Sequence, residues 1–268
     1  MQLLNPNIPV ALAPVERLRL VVLDWAGTTV DFGSLAPIKT LTDVFAKAGV
    51  TVTEEEARRD MGLPKKEHIL RILAAKQLAE SEVEELYRKF VAQQLSCLDR
   101  YSDLIAGVPE AVERFRQRSL KIGTTTGYTR EMVNLLIQKS ATAGYSADCN
   151  LTPEEVGAGR PHPFMILSIA VRLQVYPAAA VVKVGDTPAD IAEGLNAGAW
   201  SVGVAKTGNM VGRSQQEFEA LSTAEQQARL TQARDELAAA GAHYVVDSVA
   251  ELDPVLDDID ARLRSRSR

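Results

Sequence analysis

Four branched apolar residues, Leu20-Val-Val-Leu23, run straight into Asp24, and Gly27-Thr28-Thr29 turns the chain just afterwards. A short continuous run of this kind predicts a strand buried on both faces, as in a parallel sheet. A carboxylate where such a strand ends is costly to hold away from water unless a cation or a reaction uses it. The carboxyl ends of parallel strands are also where ligand sites form. The competing reading is an Asp that caps the next turn and does nothing more.

From there to about Leu98 the pattern is helical. Residues 36–48 place Ile38, Leu41, Val44, Phe45 and Ala48 on one face, and Gly49 stops the helix. Thr53 with Glu56 predicts a capping box opening a second helix, which ends near Met61-Gly62. Pro64 occupies a helix-start position and residues 65–75 continue as a third helix. Ser81 with Glu84 predicts the start of a fourth, turning Val83, Leu86, Tyr87, Phe90 and Val91 inward. Helices with no strand among them, inserted after a single strand, predict a separate small helical cap over residues 33–103. Its hinges are expected near Gly33 and between Asp103 and Gly107.

Beyond Gly107 strands and helices alternate. A helix at 108–116 precedes a strand at 120–124, and another helix starts at Arg130 with Thr129 as N-cap. A strand at 181–184 runs into Gly185-Asp186-Thr187, a helix carries Ile191 and Leu195, and strands follow at 200–205 and 243–246. This alternation predicts an α/β core, a Rossmann-like parallel sheet with helices on both faces, formed by residues 20–32 and 104–268. Residues 222–240 read as an amphipathic surface helix, 1–19 as an arm on the surface, and the arginine-rich 262–268 as a frayed helix end.

Net charge of −5 argues against nucleic acid as the main partner, though an anionic small substrate is compatible with a local cation. Cys97 and Cys149 stand far apart with no metal-ligand pattern, so the expected compartment is a reducing cytoplasm. No apolar run is long enough for a membrane span, and the proline-containing first 19 residues do not resemble a secretory leader.

Three strand ends in one sheet then offer a consistent chemistry. Asp24 closes the first. Thr126 and Gly127 follow the second, a hydroxyl and a backbone N–H beside a helix start, which suit a phosphate oxygen. Asp186 follows the third, with Asp190 four residues on, where two carboxylates can share a hard cation such as Mg²⁺. Between them a Gly/Pro-rich loop, 157–163, holds Arg160, whose guanidinium suits a phosphoryl group. Taken singly, Thr126 could cap a helix, Arg160 could pair with a surface acid, and Asp186 and Asp190 could line a turn and an exposed face.

The order Asp24, Thr126, Arg160, Asp186/Asp190 resembles the haloacid dehalogenase superfamily of phosphoryl-transfer enzymes, from Leu20 to about Leu252. That resemblance implies Asp24 as nucleophile and Mg²⁺ held by Asp24, the backbone carbonyl of Ala26 and Asp186. Asp190 would act through water or as an orienting group, and Thr126, Gly127 and Arg160 would hold phosphoryl oxygens. Phosphatases of this kind carry a second Asp two residues after the nucleophile to protonate the leaving alkoxide, and here that position is Ala26.

The runs 24–31, Met61-Gly-Leu-Pro-Lys65 with His68, Gly127-Tyr128 to Met132 and Gly159-Arg-Pro161 resemble the phosphonoacetaldehyde hydrolase (phosphonatase) family. In that family the cap lysine forms an imine with the substrate aldehyde, so a carbon can leave phosphorus as an enamine and no alkoxide acid is needed. The resemblance implies Lys65 as Schiff-base lysine, His68 as proton carrier, and Met61 and Tyr128 as substrate contacts. By position alone Lys65 could be a solvated helix-start lysine and His68 an exposed helix residue. Burial in the cleft and cations such as Lys66 would lower the Lys65 pKa. Against the family pattern the cap is shorter between His68 and Leu86, and Ser34 stands where a cysteine is expected. The expected activity is Mg²⁺-dependent hydrolysis of phosphonoacetaldehyde, with a possible homodimer through the cap. The alternative is a phosphatase of the same fold acting on a small phosphate ester or another phosphonate, and the least favoured reading is a phosphate-binding protein without catalysis.

Overall fold

A computed structural model of the chain describes residues 15–266. Most of the proposed N-terminal arm, residues 1–14, and Ser267-Arg268 lie outside the described residues. The core is one six-stranded, all-parallel sheet: β1 (Leu20–Leu23), β2 (Lys121–Thr125), β3 (Cys149–Leu151), β4 (Val181–Gly185), β5 (Trp200–Val204) and β6 (Tyr244–Val246), in the order β3-β2-β1-β4-β5-β6. β1 is central and its four side chains are buried, as its unbroken apolar run requires. The chain runs from β1 through β2 to β3 on one side and then crosses to β4 on the other side of β1, which opens a crevice at the carboxyl ends of β1 and its neighbours. Leu23 is in register with Thr124 and with Val184, so Asp24, Thr126 and Asp186 emerge together at that crevice.

Four helices intervene between β1 and the next core helix: α1 (Leu35–Lys47), α2 (Glu54–Arg59), α3 (Lys65–Ala75) and α4 (Val83–Cys97). They pack through Leu41, Phe45, Ile69, Leu73, Leu86 and Phe90, all buried, and those of α1 and α4 lie on the predicted faces. Ala48 is exposed because the helix ends at Lys47, and Tyr87 and Val91 of α4, also expected to point inward, are only half-buried. The Thr53–Glu56 capping box forms as expected. The one at Ser81 does not: a 3₁₀ turn, Glu80–Glu82, precedes α4 and its side chains cap nothing. The N-terminus of α1 is capped from outside, since the buried Asp31 carboxylate accepts from the Leu35 and Ala36 N–H groups at 3.0 and 2.9 Å.

The remaining helices are α5 (Val108–Gln117), α6 (Arg130–Thr142), α7 (Phe164–Arg172), α8 (Pro188–Asn196), α9 (Gln215–Glu219), α10 (Thr223–Ala239) and α11 (Asp253–Arg266). Thr129 caps α6, accepting from the Met132 N–H. Helix α10 keeps only Ala233 and Leu237 buried, the surface helix its composition predicted. Three-residue β3, carrying Cys-Asn-Leu, has no apolar run to announce it, so the sequence pattern does not predict it. Among the described residues no helix is long and apolar enough to cross a membrane.

Candidate active site

Asp24, Ala26, Thr126, Gly127, Arg160 and Asp186 from the core share the wall of one cavity with Met61, Lys65 and Ser34 from the helical insertion, and Tyr128 completes it. The cavity measures about 20 Å³, room for little more than a water molecule. Asp24, Ala26, Thr126, Gly127 and Asp186 stand where buried strands give out, in the short turns after β1, β2 and β4, and Arg160 reaches the same point from the loop between β3 and α7. The Arg160 guanidinium donates to Asp24 Oδ1 at 2.6 Å and to the Thr125 carbonyl at 2.7 Å, and contacts Asp190 at 3.0 Å and Glu193 at 3.1 Å. Burial opposes its charge, but these three acids outweigh that and hold its pKa above the ordinary value.

Carboxylate oxygens of Asp24, Asp186 and Asp190 lie within 4.8 Å of one another. Burial pushes the Asp24 pKa up, with Arg160 pulling it back. Burial and then the Asp24 and Asp190 charges push Asp186 well above the carboxylate range. Asp190 resists its own burial because Arg160 and Lys183 lie against it, and it stays below the ordinary value. The buried cluster thus holds four acids (Asp24, Asp186, Asp190, Glu193) against two cations fixed among them, Arg160 and Lys183. Lys65 on the same wall adds a third cation, so the acids still outnumber the cations, and a set of carboxylate oxygens suits a hard divalent ion such as Mg²⁺. The Ala26 carbonyl at the same wall accepts no protein hydrogen bond among the described residues. These residues therefore fit a hard divalent cation.

Lys65 is delivered to this cavity by the loop 61–64, which seats against the core at positions with no room for side chains. A Cβ on Gly62 would lie 2.3 Å from Thr187 Oγ1, and one on Gly127 2.7 Å from the Leu63 carbonyl oxygen. Gly62 also has φ +92°, where a side chain is strained. Gly62→Ala is expected to lift the insertion off the core and lower kcat/KM by about 10²-fold, a misplacement effect with little change in circular dichroism. Unchanged kcat/KM would mean that this seat does not position Lys65.

Lys65 is 4 % exposed, and burial lowers its pKa to about 8, with Asp24 pulling it upward and Arg160 downward. Lys66 takes no part in this: it points outward and pairs with Glu84. The Lys65 ammonium donates to Met61 Sδ at 3.3 Å, a weak acceptor that leaves the amine easily freed. His68 is not on the cavity wall. It lies fully buried behind Lys65, with neither ring nitrogen making a hydrogen bond of normal geometry. Burial, with the Lys65 charge assisting, pushes its pKa well below the histidine range, so the ring is neutral. Tyr128 places a buried, unpartnered hydroxyl in the wall region, and its backbone N–H donates to Thr126 Oγ1 at 3.1 Å. The Gly127 N–H makes no protein hydrogen bond among the described residues.

A family model described as haloacid dehalogenase-like hydrolase matches residues 21–204. Phosphonoacetaldehyde hydrolase from Bacillus thuringiensis (strain Al Hakam) is 38% identical over 256 residues, covering 91% of this chain and 97% of that protein. A bifunctional phosphonoacetaldehyde hydrolase/aminoethylphosphonate transaminase from Clostridioides difficile is 40% identical over 91% of this chain, which matches 40% of that longer protein. The crystal structure of a phosphonoacetaldehyde hydrolase-like protein from Oleispira antarctica superposes with a TM-score of 0.91 at 36% identity, over 98% of this chain and 99% of that one. The chain belongs to the phosphonoacetaldehyde hydrolase family of haloacid dehalogenase-like hydrolases.

Behind Arg160 lies a buried layer that none of the sequence motifs mark. Lys183 Nζ contacts Asp190 at 2.8 Å and Glu193 at 3.4 Å, and donates to Thr125 Oγ1 at 2.9 Å. Thr125 donates in turn to Glu193 Oε2 at 2.8 Å. One signal was present: Lys183 interrupts the apolar run of β4, and a lysine inside a parallel strand needs a buried partner. Glu193, three residues past Asp190 on α8, lies on the same helix face and could have been proposed as that partner.

Proposed function

We propose that the protein hydrolyses the carbon–phosphorus bond of phosphonoacetaldehyde, giving acetaldehyde and phosphate. What carries the reading is a buried lysine of lowered pKa in the same small cavity as the Asp24 carboxylate, with Ala26 where an ester phosphatase needs its acid. The neutral Lys65 amine attacks the aldehyde and water departs, leaving an imine. Asp24 then attacks phosphorus as the C–P electron pair moves into the protonated imine, so that carbon leaves as an enamine and takes a proton. Water hydrolyses the resulting aspartyl phosphate, and a second water releases acetaldehyde from Lys65. Arg160, Thr126 and the Gly127 N–H hold the phosphoryl oxygens, and Met61 and Tyr128 border the aldehyde end. His68, neutral and behind Lys65, is the nearby group to relay a proton during imine formation.

Asp24, the Ala26 carbonyl and Asp186 would hold Mg²⁺, with Asp190 as the outer group. Mg²⁺ would supply charge neutralisation between Asp24 and an incoming phosphonate anion. A cavity of about 20 Å³ has no room for substrate, so the cap (33–103) must part from the core (20–32 and 104–268) before binding. A homodimer through the cap belongs to the same reading.

The test is release of phosphate and acetaldehyde from phosphonoacetaldehyde, set beside a panel of small phosphate esters and other phosphonates. Faster turnover of an ester would replace the reading with that of a phosphatase. Because the amine must be neutral, kcat/KM should fall about tenfold per pH unit below an apparent pKa near 8, the Lys65 value, and level off above it. A pH profile that is flat across that value would remove Lys65 as the attacking group.

A further inference from the structure

The loop after β5 touches both halves of the site at once. Asn209, fully buried, donates its backbone N–H to Asp186 Oδ2 at 2.7 Å. Its side chain faces the helical insertion: Arg58 Nη1 donates to Asn209 Oδ1 at 3.1 Å, and Asn209 Nδ2 returns a bond to the Arg58 carbonyl at 3.2 Å. The same guanidinium reaches the Gly33 carbonyl at 2.9 Å and the Gly212 carbonyl at 3.1 Å. One side chain on α2 therefore ties together the link out of β1 and the loop that fixes a metal-ligand candidate.

The contact is built closely. A Cβ on Gly212 would lie 2.7 Å from Arg58 Cζ, so the loop can approach the guanidinium only without a side chain there. Gly33 donates to the Thr207 carbonyl at 2.7 Å, and Thr207 donates to the Gly27 carbonyl at 2.7 Å, which binds the same loop to the turn after Asp24. Every acceptor of Arg58 is a carbonyl or amide oxygen, and none of its ion-pair distances to an acid is short among the described residues. Such bonds orient groups without neutralising the cluster, and the three to Asn209 and Gly212 would break if the insertion lifted away.

We propose that Arg58 and Asn209 form a closure latch whose core half sets the Asp186 carboxylate, so that cap closure and divalent-cation binding strengthen each other. The proposal rests on the metal site described above. Coupling between two events is reciprocal: whatever closure adds to cation affinity, the cation must add to closure. Arg58 is on this account a positioning residue, since it touches Asp186 only through Asn209.

Two readouts independent of turnover test it. Mn²⁺ binding, followed by electron paramagnetic resonance of the free ion, should weaken by about tenfold in Arg58→Ala, within the usual range of coupling between sites. Mg²⁺ should slow hydrogen exchange in α2 and residues 207–213 of the wild type and have no such effect in Arg58→Ala. Arg58→Lys, which keeps the charge but reaches fewer carbonyls, should fall between them and carries the test if the alanine variant does not fold. Arg59→Ala, an exposed neighbour on α2, should match the wild type in both. Wild-type Mn²⁺ affinity in both Arg58 variants would overturn the latch alone, leaving Arg58 a mechanical brace. No Mn²⁺ binding by the wild type would overturn the metal site and the coupling with it.

Discussion

Lys65→Arg is expected to abolish C–P cleavage, by about 10³-fold or more, with the fold intact. Arginine keeps a positive charge at the cavity wall but cannot condense with an aldehyde, so it separates charge from nucleophilicity. Lys65 is 4 % exposed with a pKa of about 8, so roughly a tenth of it is the free amine one unit below that value. Borohydride added to the wild type with phosphonoacetaldehyde should reduce the imine and fix the two-carbon fragment to Lys65, as read by peptide mass. Lys65→Arg should trap nothing. Turnover by Lys65→Arg, or an active wild type that never traps, would end the imine mechanism while leaving the Asp24 centre untouched.

The sequence made the core half of the site legible because strand ends are marked by chemistry. Asp24 and Asp186 close apolar runs, and Thr126-Gly127 separates a strand from a capped helix. Parallel register then brings them together without further information. Lys65 was legible only through family resemblance: at a helix start, with charged neighbours Lys66 and Glu67, nothing local tells of burial. Its burial depends on loop 61–64 seating over Gly127 and Thr187, a contact between segments some sixty or more residues apart. His68 shows the same limit, since its position read equally as exposed and the ring is fully enclosed. Arg58 and Asn209 carry no pattern, because their partners are main-chain carbonyls and an amide that only the folded chain presents.

The acid-rich centre explains why the buried pairs around Arg160 are arranged in layers. A lone guanidinium facing Asp24, Asp190 and Glu193 would be held by all three and free to serve none. Lys183 shares Asp190 and Glu193 with it, and Thr125 bonds both cations and Glu193. Buried ion pairs stabilise little on balance once desolvation is counted. Their use here is geometric: they fix the Arg160 Nη2 that donates to Asp24.

Asp24→Asn tests the other half of the mechanism and should separate activity from stability. The amide lacks a nucleophilic oxygen, so phosphate release should drop by about 10⁴-fold or more. Its carbonyl oxygen can still accept from Arg160, which also keeps Asp190 and Glu193, so the ion-pair layer survives. Meanwhile one buried negative charge is gone, and with it a leading cause, after burial, of the raised Asp186 pKa. Thermal unfolding without added divalent ion should therefore occur at the wild-type temperature or above it, the sign expected where function maintains an unfavourable charge cluster. Added Mg²⁺ should raise the wild-type midpoint more than the variant's, because fewer anions remain to hold it. Asp24 also pulls the Lys65 pKa upward, so its loss should leave more free amine and make borohydride trapping of Lys65 at least as efficient. An Asp24→Asn protein that traps substrate but releases no phosphate would divide the reaction at the imine. One that still releases phosphate at the wild-type rate would remove Asp24 as nucleophile.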